Sequence, residues 1–154
     1  WPDKPDLMNR KIDFVRSVLD KHKASIGSES ESDRVREIVA HVGGFDIVAI
    51  LGAMLACVDF EKPFVIDGFI TSVAAACATH INARVKDYAL PSHYSKEKGT
   101  EIALAEVGIT QDMVPIQAQM SMGEGTGAIL MVQMLKTTQH MFVNVGTFAE
   151  LMKL

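Results

Sequence analysis

The chain has 154 residues, 48% of them hydrophobic and 22% charged, which is typical of one globular domain with a single core. Its formal net charge of −4 provides no general attraction to nucleic acid or anionic lipid, so neither is an expected partner. The longest apolar run, 47–58, is about half the length of a membrane span and is interpreted as a buried helix.

The first six residues, WPDKPD, are polar and proline-rich and are interpreted as a linker-like start rather than a secretory signal. We therefore expect a cytoplasmic protein. A chain that opens on Trp1 also suggests a processed product or a piece of a longer protein. Cys57 and Cys77 lie in alanine-rich sequence without a CxxC motif, so we expect two buried thiols, and a disulfide between them is the alternative. The histidines lack metal-site spacing, so neither a metal nor a cofactor is expected.

Apolar periodicity and turn signals predict the elements in chain order. Helices are predicted over 7–22, 45–57, 69–81, 100–107, about 128–140, and 147–151. A further short helix is predicted from a cap at Ser32 or Asp33 to about residue 42. Strands are predicted over 63–66 and 88–90, while 25–32 is a loop and 111–122 is irregular or holds one short strand.

Short buried strands that alternate with helices predict an α/β fold, a three-layer parallel sheet with helices on both faces. We expect one such domain over 1–154, resembling part of a Rossmann-like fold. Ligands of open parallel sheets bind where strands turn into helices. Three turns here have suitable residues, at 67–68, 92–93 and 123–127.

The turn Gly123-Glu124-Gly125-Thr126-Gly127 is the most informative of the three. Its glycines allow close backbone approach to a ligand, and the helix that follows presents free N–H groups. Glu124 has no basic neighbour in sequence, so it is a candidate general base. The alternative is a tight turn whose glutamate points into water.

The other two turns have structural alternatives. Asp67 at a strand end is a candidate for holding a ribose hydroxyl, and the alternative is an N-cap for the following helix. Ser92 and His93 are adjacent, unlike most nucleophile–base pairs, so a capping serine and a locally hydrogen-bonded histidine are the default interpretation.

Several motifs occur together in a fixed order: VGGFDI at 42–47, VIDGFIT at 65–71, DY at 87–88 with SH at 92–93, MGEGTGA at 122–128 and TFAE at 147–150. In this order and spacing they resemble the nicotinate-nucleotide–dimethylbenzimidazole phosphoribosyltransferase family of cobalamin lower-ligand assembly. The resemblance covers about 41–150.

The resemblance implies transfer of phosphoribose from nicotinate mononucleotide to a benzimidazole-type base, giving α-ribazole phosphate and nicotinate. It places the family's general base at Glu124. It also makes Met122, Gly123 and Gly125 substrate-binding residues, with Met122 lining the benzimidazole pocket beside Glu124. It also places Asp67, Gly68 and Ser92 at the ribose and phosphate. A homodimer, as in the family, or a missing N-terminal half is the implied partner for the apolar helices.

Two departures from the family pattern limit this transfer of function. The family's N-terminal half, with its glycine-rich phosphate segment, has no counterpart here, and Tyr94 and Lys96 replace the pair expected after Ser92-His93. The alternative function is a non-catalytic nucleotide-binding or assembly domain that keeps the fold.

Overall fold

The computed structural model describes residues 5–121 and 123–152. Its helices are α1 Pro5–His22, α2 Glu31–Val42, α3 Phe45–Asp59, α4 Phe69–Ile81, α5 Thr100–Val107, α6 Thr126–Asn144 and α7 Phe148–Leu151, and its strands are β1 Phe64–Ile66 and β2 Ala89–Pro91. Short 3₁₀ helices lie at Lys23–Ser25, Ala83–Asp87 and Gln111–Met113. The predicted order of helices and strands is confirmed.

Three local details of the elements bear on the predictions. The N-cap of α2 is Ser30, whose hydroxyl accepts the Asp33 N–H at 3.4 Å, so the predicted cap at Ser32 or Asp33 was wrong. Gly108 ends α5 with a φ of 83°, as predicted for a glycine C-cap. Helix α6 is longer than predicted at both ends.

The two strands form a parallel pair, in which Phe64 lies opposite Ala89 and Ile66 opposite Pro91. Helix α4 lies in the crossover between them, as a parallel connection requires. Just beyond β2, His93 forms a parallel bridge with Ile116, so sheet-like pairing continues past the end of that strand. The described residues thus form an α/β fold with a small parallel sheet whose carboxyl ends lead into 67–68 and 92–93.

Helix α4 is the centre of the core. Ala74, Ala75 and Ala78 are fully buried, and α2, α3 and α5 all pack on this helix. The small side chains let these neighbours approach closely. His80, near the end of α4, reaches Glu31 through Nδ1 at 2.9 Å and Glu106 through Nε2 at 2.8 Å, which ties the helix to α2 and α5.

Helix α6 leaves much of its apolar surface exposed. Phe142 is 82% exposed, and Ile129 and Val143 are also largely accessible. Phe45 at the start of α3 is 95% exposed, and α1 exposes Phe14. Large apolar side chains exposed together on one element are typical of an interaction surface.

Two further observations concern the cysteines and the length of the helices. Cys57 and Cys77 are free thiols, but both are half-buried and not fully buried as the sequence predicted. Over the described residues, no helix combines the length and the apolar character needed to cross a membrane.

Candidate active site

An open cleft of about 530 Å³ lies at the carboxyl ends of the strands. The end of β1 and the first turn of α4 form one wall, and Gly123–Gly125 forms another. Ser95 and Glu97, which follow β2, also line it. The turns at 67–68 and 123–127 therefore meet at one site, as expected for a parallel sheet.

The glycine-rich turn holds Glu124 in an unusual backbone conformation. Its φ is 62° and that of Gly125 is 77°, so two consecutive residues lie in the left-handed region. This conformation costs a residue with a Cβ about 1 kcal/mol or more, so neighbouring contacts must stabilise the turn. Thr126 closes it by donating its N–H and its hydroxyl to the Gly123 carbonyl, at 3.3 and 2.8 Å.

Glu124 is exposed and is one of the residues that line the cleft. No hydrogen bond or ion pair joins its carboxylate to another residue of the described ranges 5–121 and 123–152. A carboxylate without such a partner remains available to accept a proton from a ligand.

Asp67 provides the contacts that stabilise the turn. One oxygen of its carboxylate accepts the N–H of Gly125 at 3.2 Å, and the other accepts the N–H of Ala128 at 2.9 Å. These are free N–H groups at the start of α6, where the helix dipole favours negative charge. The alternative in which Asp67 caps the next helix was wrong, because Gly68 is the N-cap of α4. Asp67 instead caps α6, which is distant in sequence.

Gly68 is fixed by the first turn of α4. Its N–H donates to the Thr71 hydroxyl at 2.9 Å, and its carbonyl accepts the hydroxyls of Thr71 and Ser72, each at 2.8 Å. The backbone at this end of the cleft is thereby held in place.

Ser92 and His93 lie beneath the cleft and are only 1% and 3% exposed. The Ser92 hydroxyl donates to the Asp67 backbone carbonyl at 2.9 Å and lies 3.1 Å from Nδ1 of His93. The imidazole packs against Gly127, where a Cβ would collide with Nδ1 and lie 2.6 Å from Cε1. Packing against His93 therefore favours glycine at position 127, a reason that the motif alone did not reveal.

The structure brings together most of the predicted site residues. Glu124, Gly123, Gly125, Asp67 and Gly68 all line the cleft, whereas Ser92 supports it from below. Met122 lies outside the described residues. Sequence reasoning did not identify Thr71, Ser95 or Glu97 as lining residues, because their types and spacing carry no motif of their own.

The cleft is acidic. Among its described lining residues are the carboxylates of Asp67, Glu97 and Glu124, and none of these lining residues is Lys, Arg or His. Lys96 and Lys98 line a neighbouring, smaller depression with Gln117. Such a cleft favours a ligand that carries N–H groups or positive charge over an anionic one.

Comparison with known proteins shows the family. A family model described as phosphoribosyltransferase matches residues 4–151. The chain belongs to the nicotinate-nucleotide–dimethylbenzimidazole phosphoribosyltransferase family. Its members include the enzymes of that name from Escherichia coli K12, which is 34% identical over 144 residues, and from Yersinia enterocolitica, which is 35% identical over 145 residues.

The solved structures agree with this family membership. A crystal structure of nicotinate-nucleotide–dimethylbenzimidazole phosphoribosyltransferase from Thermus thermophilus superposes with a TM-score of 0.68 at 30% identity, covering 75% of this chain and 34% of that one. A structure described as CobT from the same organism gives a TM-score of 0.62 at 31% identity, covering 67% of this chain and 30% of that one.

The share of each relative that is matched is small. The Escherichia coli and Yersinia alignments cover 94% of this chain but only 38% and 39% of the relatives. The chain of this phosphoribosyltransferase family member thus spans well under half the length of its curated relatives.

Proposed function

We propose that this chain carries the general-base part of a phosphoribosyltransferase that joins nicotinate mononucleotide to a benzimidazole-type base. The observation that carries the proposal concerns Glu124, whose carboxylate has no partner among the described residues. The turn that holds Glu124 at the cleft has two consecutive residues in the left-handed region. The relatives' names supply the substrates.

The chemistry follows from the acceptor ring. Glu124 takes the N–H proton of the benzimidazole while the opposite ring nitrogen attacks the anomeric carbon of the nucleotide. The new N–C bond forms as the bond to the pyridinium nitrogen breaks, and nicotinate leaves with that electron pair. Proton transfer of this kind contributes about 10²–10⁴-fold in rate, and positioning contributes much of the remainder.

The acidic character of the cleft supports binding of the benzimidazole-type substrate there rather than binding of the nucleotide's phosphate. Asp67 already fills the N-terminus of α6, which is the place where an anion would otherwise bind. We propose that the phosphate is held by segments present in the longer relatives. The sequence-based contacts of Asp67, Gly68 and Ser92 with the ribose and phosphate, and of Met122 with the ring, remain predictions.

The exposed apolar residues of α6 support the proposal that another protein surface covers this helix. We propose that a second copy of the chain, or the remainder of a longer protein, packs there. The same addition would extend the two-stranded sheet toward the three-layer arrangement expected from the sequence. Sedimentation of the chain at micromolar concentration tests the second-copy proposal, since a monomer would exclude it at that concentration.

Release of nicotinate from nicotinate mononucleotide and dimethylbenzimidazole tests the proposed reaction. We expect turnover that falls by about 10²–10⁴-fold in Glu124→Gln. Glu29→Gln is the matched control, because Glu29 is an exposed glutamate outside the cleft and should leave the rate unchanged. Equal rates for wild type and Glu124→Gln would remove Glu124 from the mechanism.

The second candidate is a non-catalytic binding or assembly domain. It is favoured by the short coverage of the relatives, 38% and 39% of their length. Binding of dimethylbenzimidazole without nicotinate release from the wild-type chain would support this candidate over the enzyme.

A further inference from the structure

The proton count at Ser92 fixes the tautomer of His93. A serine hydroxyl has one hydrogen, and the Asp67 carbonyl can only accept, so the 2.9 Å contact between them uses the Ser92 hydrogen. The 3.1 Å contact between the Ser92 oxygen and Nδ1 of His93 then requires an N–H on Nδ1. The other ring nitrogen, Nε2, is buried and has no partner within the described chain.

These contacts connect His93 to the glutamate turn in three steps. Nδ1–H of His93 donates to Ser92, and Ser92 donates to the Asp67 carbonyl. The Asp67 carboxylate accepts the N–H groups of Gly125 and Ala128, on the C-terminal side of Glu124. The imidazole also touches the turn directly, since it packs beneath Gly127.

We infer that His93 is a positioning residue for Glu124, acting through its Nδ1–H bond to Ser92. The inference rests on the proposed function of Glu124 as the base. The residue is too buried to meet substrate in this structure, at 3% exposure, and so acts on the turn rather than on the reacting atoms. A displacement of about 1 Å in a catalytic group can cost about 10²-fold in rate.

Two substitutions separate the hydrogen bond from the packing of the ring. In His93→Asn the side-chain amide lies near the position of Nδ1 and can donate to Ser92. In His93→Gln the amide lies one bond farther, near the position of Nε2, and cannot replace that bond. Both remove the ring, so lost packing alone predicts similar behaviour for the two variants.

The expected result differs sharply between the variants. We expect His93→Asn to keep kcat within about threefold of wild type, and His93→Gln to lower it by about 10–100-fold with little change in KM for nicotinate mononucleotide. Without ligand, the amides of Gly125 and Ala128 should exchange slowly with solvent in wild type and His93→Asn, and faster in His93→Gln.

A second pair of variants distinguishes loss of the hydrogen-bonded connection from a general folding defect. Ser92→Ala breaks the connection and should resemble His93→Gln. Thr100→Val is its control, because the Thr100 hydroxyl is buried and has no partner among the described residues, so its loss should change neither rate nor exchange.

Equal amide exchange in His93→Asn and His93→Gln would overturn the inference. So would a kcat that differs less than about threefold between them in an active protein. The exchange comparison needs no turnover, so it decides the role of His93 even where wild type releases no nicotinate. Absence of turnover, or full activity in Glu124→Gln, would instead count against the proposed function.

Discussion

Replacing Gly127 with alanine tests how tightly the glutamate turn is seated on the buried histidine. The added Cβ would meet Nδ1, Cε1 and Cγ of His93, the last two at 2.6 and 2.9 Å. The ring cannot move outward freely, because it is 3% exposed and lies 3.1 Å from the Ser92 hydroxyl. Either the start of α6 or the ring must therefore shift.

The size of the effect follows from three terms. Overpacking of a filled site costs about 1–3 kcal/mol, and loss of the Ser92–His93 hydrogen bond costs about 1 kcal/mol. The better helix propensity of alanine offsets up to about 1 kcal/mol of this. We expect a net loss of about 2 kcal/mol, which for a chain of this size lowers Tm by roughly 4–8 °C.

Urea denaturation followed by circular dichroism measures this change. Gly52→Ala is the matched control, because Gly52 lies in α3 with open space at the Cβ position. That variant should be stabilised by about 0.5–1 kcal/mol. In a double-mutant cycle, His93→Ala should remove most of the cost of Gly127→Ala. A Gly127→Ala protein as stable as wild type, or a cost that persists in the His93→Ala background, would refute the reasoning.

Three further predictions follow from the same structure. Asp67→Ala should destabilise the chain by about 2 kcal/mol in urea, because two N–H groups of α6 lose a charged acceptor; an unchanged midpoint would contradict this. The backbone N–H and hydroxyl of Thr147 lower the pKa of Glu150, so its NMR titration should fall below the usual glutamate range. The stabilisation from this capping should be fully present above the unfolded-state pKa and lost as pH falls through the lowered value. A normal glutamate titration in wild type would count against it. Burial raises the pKa of Cys77, so its alkylation by iodoacetamide at neutral pH should be slower than that of a free cysteine; an equal rate would argue against that burial.

The secondary structure could be predicted from the sequence because its signals are local. Helical periodicity fixed α1, the apolar run at 64–66 fixed β1, and Gly108 fixed the end of α5. The cap of α2 was misplaced because several serines and acids in 28–33 are all acceptable caps, and only the chain path selects Ser30.

The candidate site could be predicted only in part. The glycine turn and Glu124 were found because an ordered set of motifs marks them. The bond from Asp67 to the start of α6 was not predicted, because a carboxylate after a strand and before a helix has the local pattern of an N-cap for that next helix. The predicted contact of Asp67 with a ribose hydroxyl stays a prediction.

The sequence by itself determined the order of the elements and the family, because periodicity and ordered motifs are properties of the chain. Tertiary structure alone decided that Asp67 caps α6, that His93 lies beneath Gly127 and that Glu97 joins the cleft. The Asp67–Ala128 bond, for example, joins residues 61 positions apart. That contact depends on the packing of α6 beside the end of β1, and no local pattern encodes such packing.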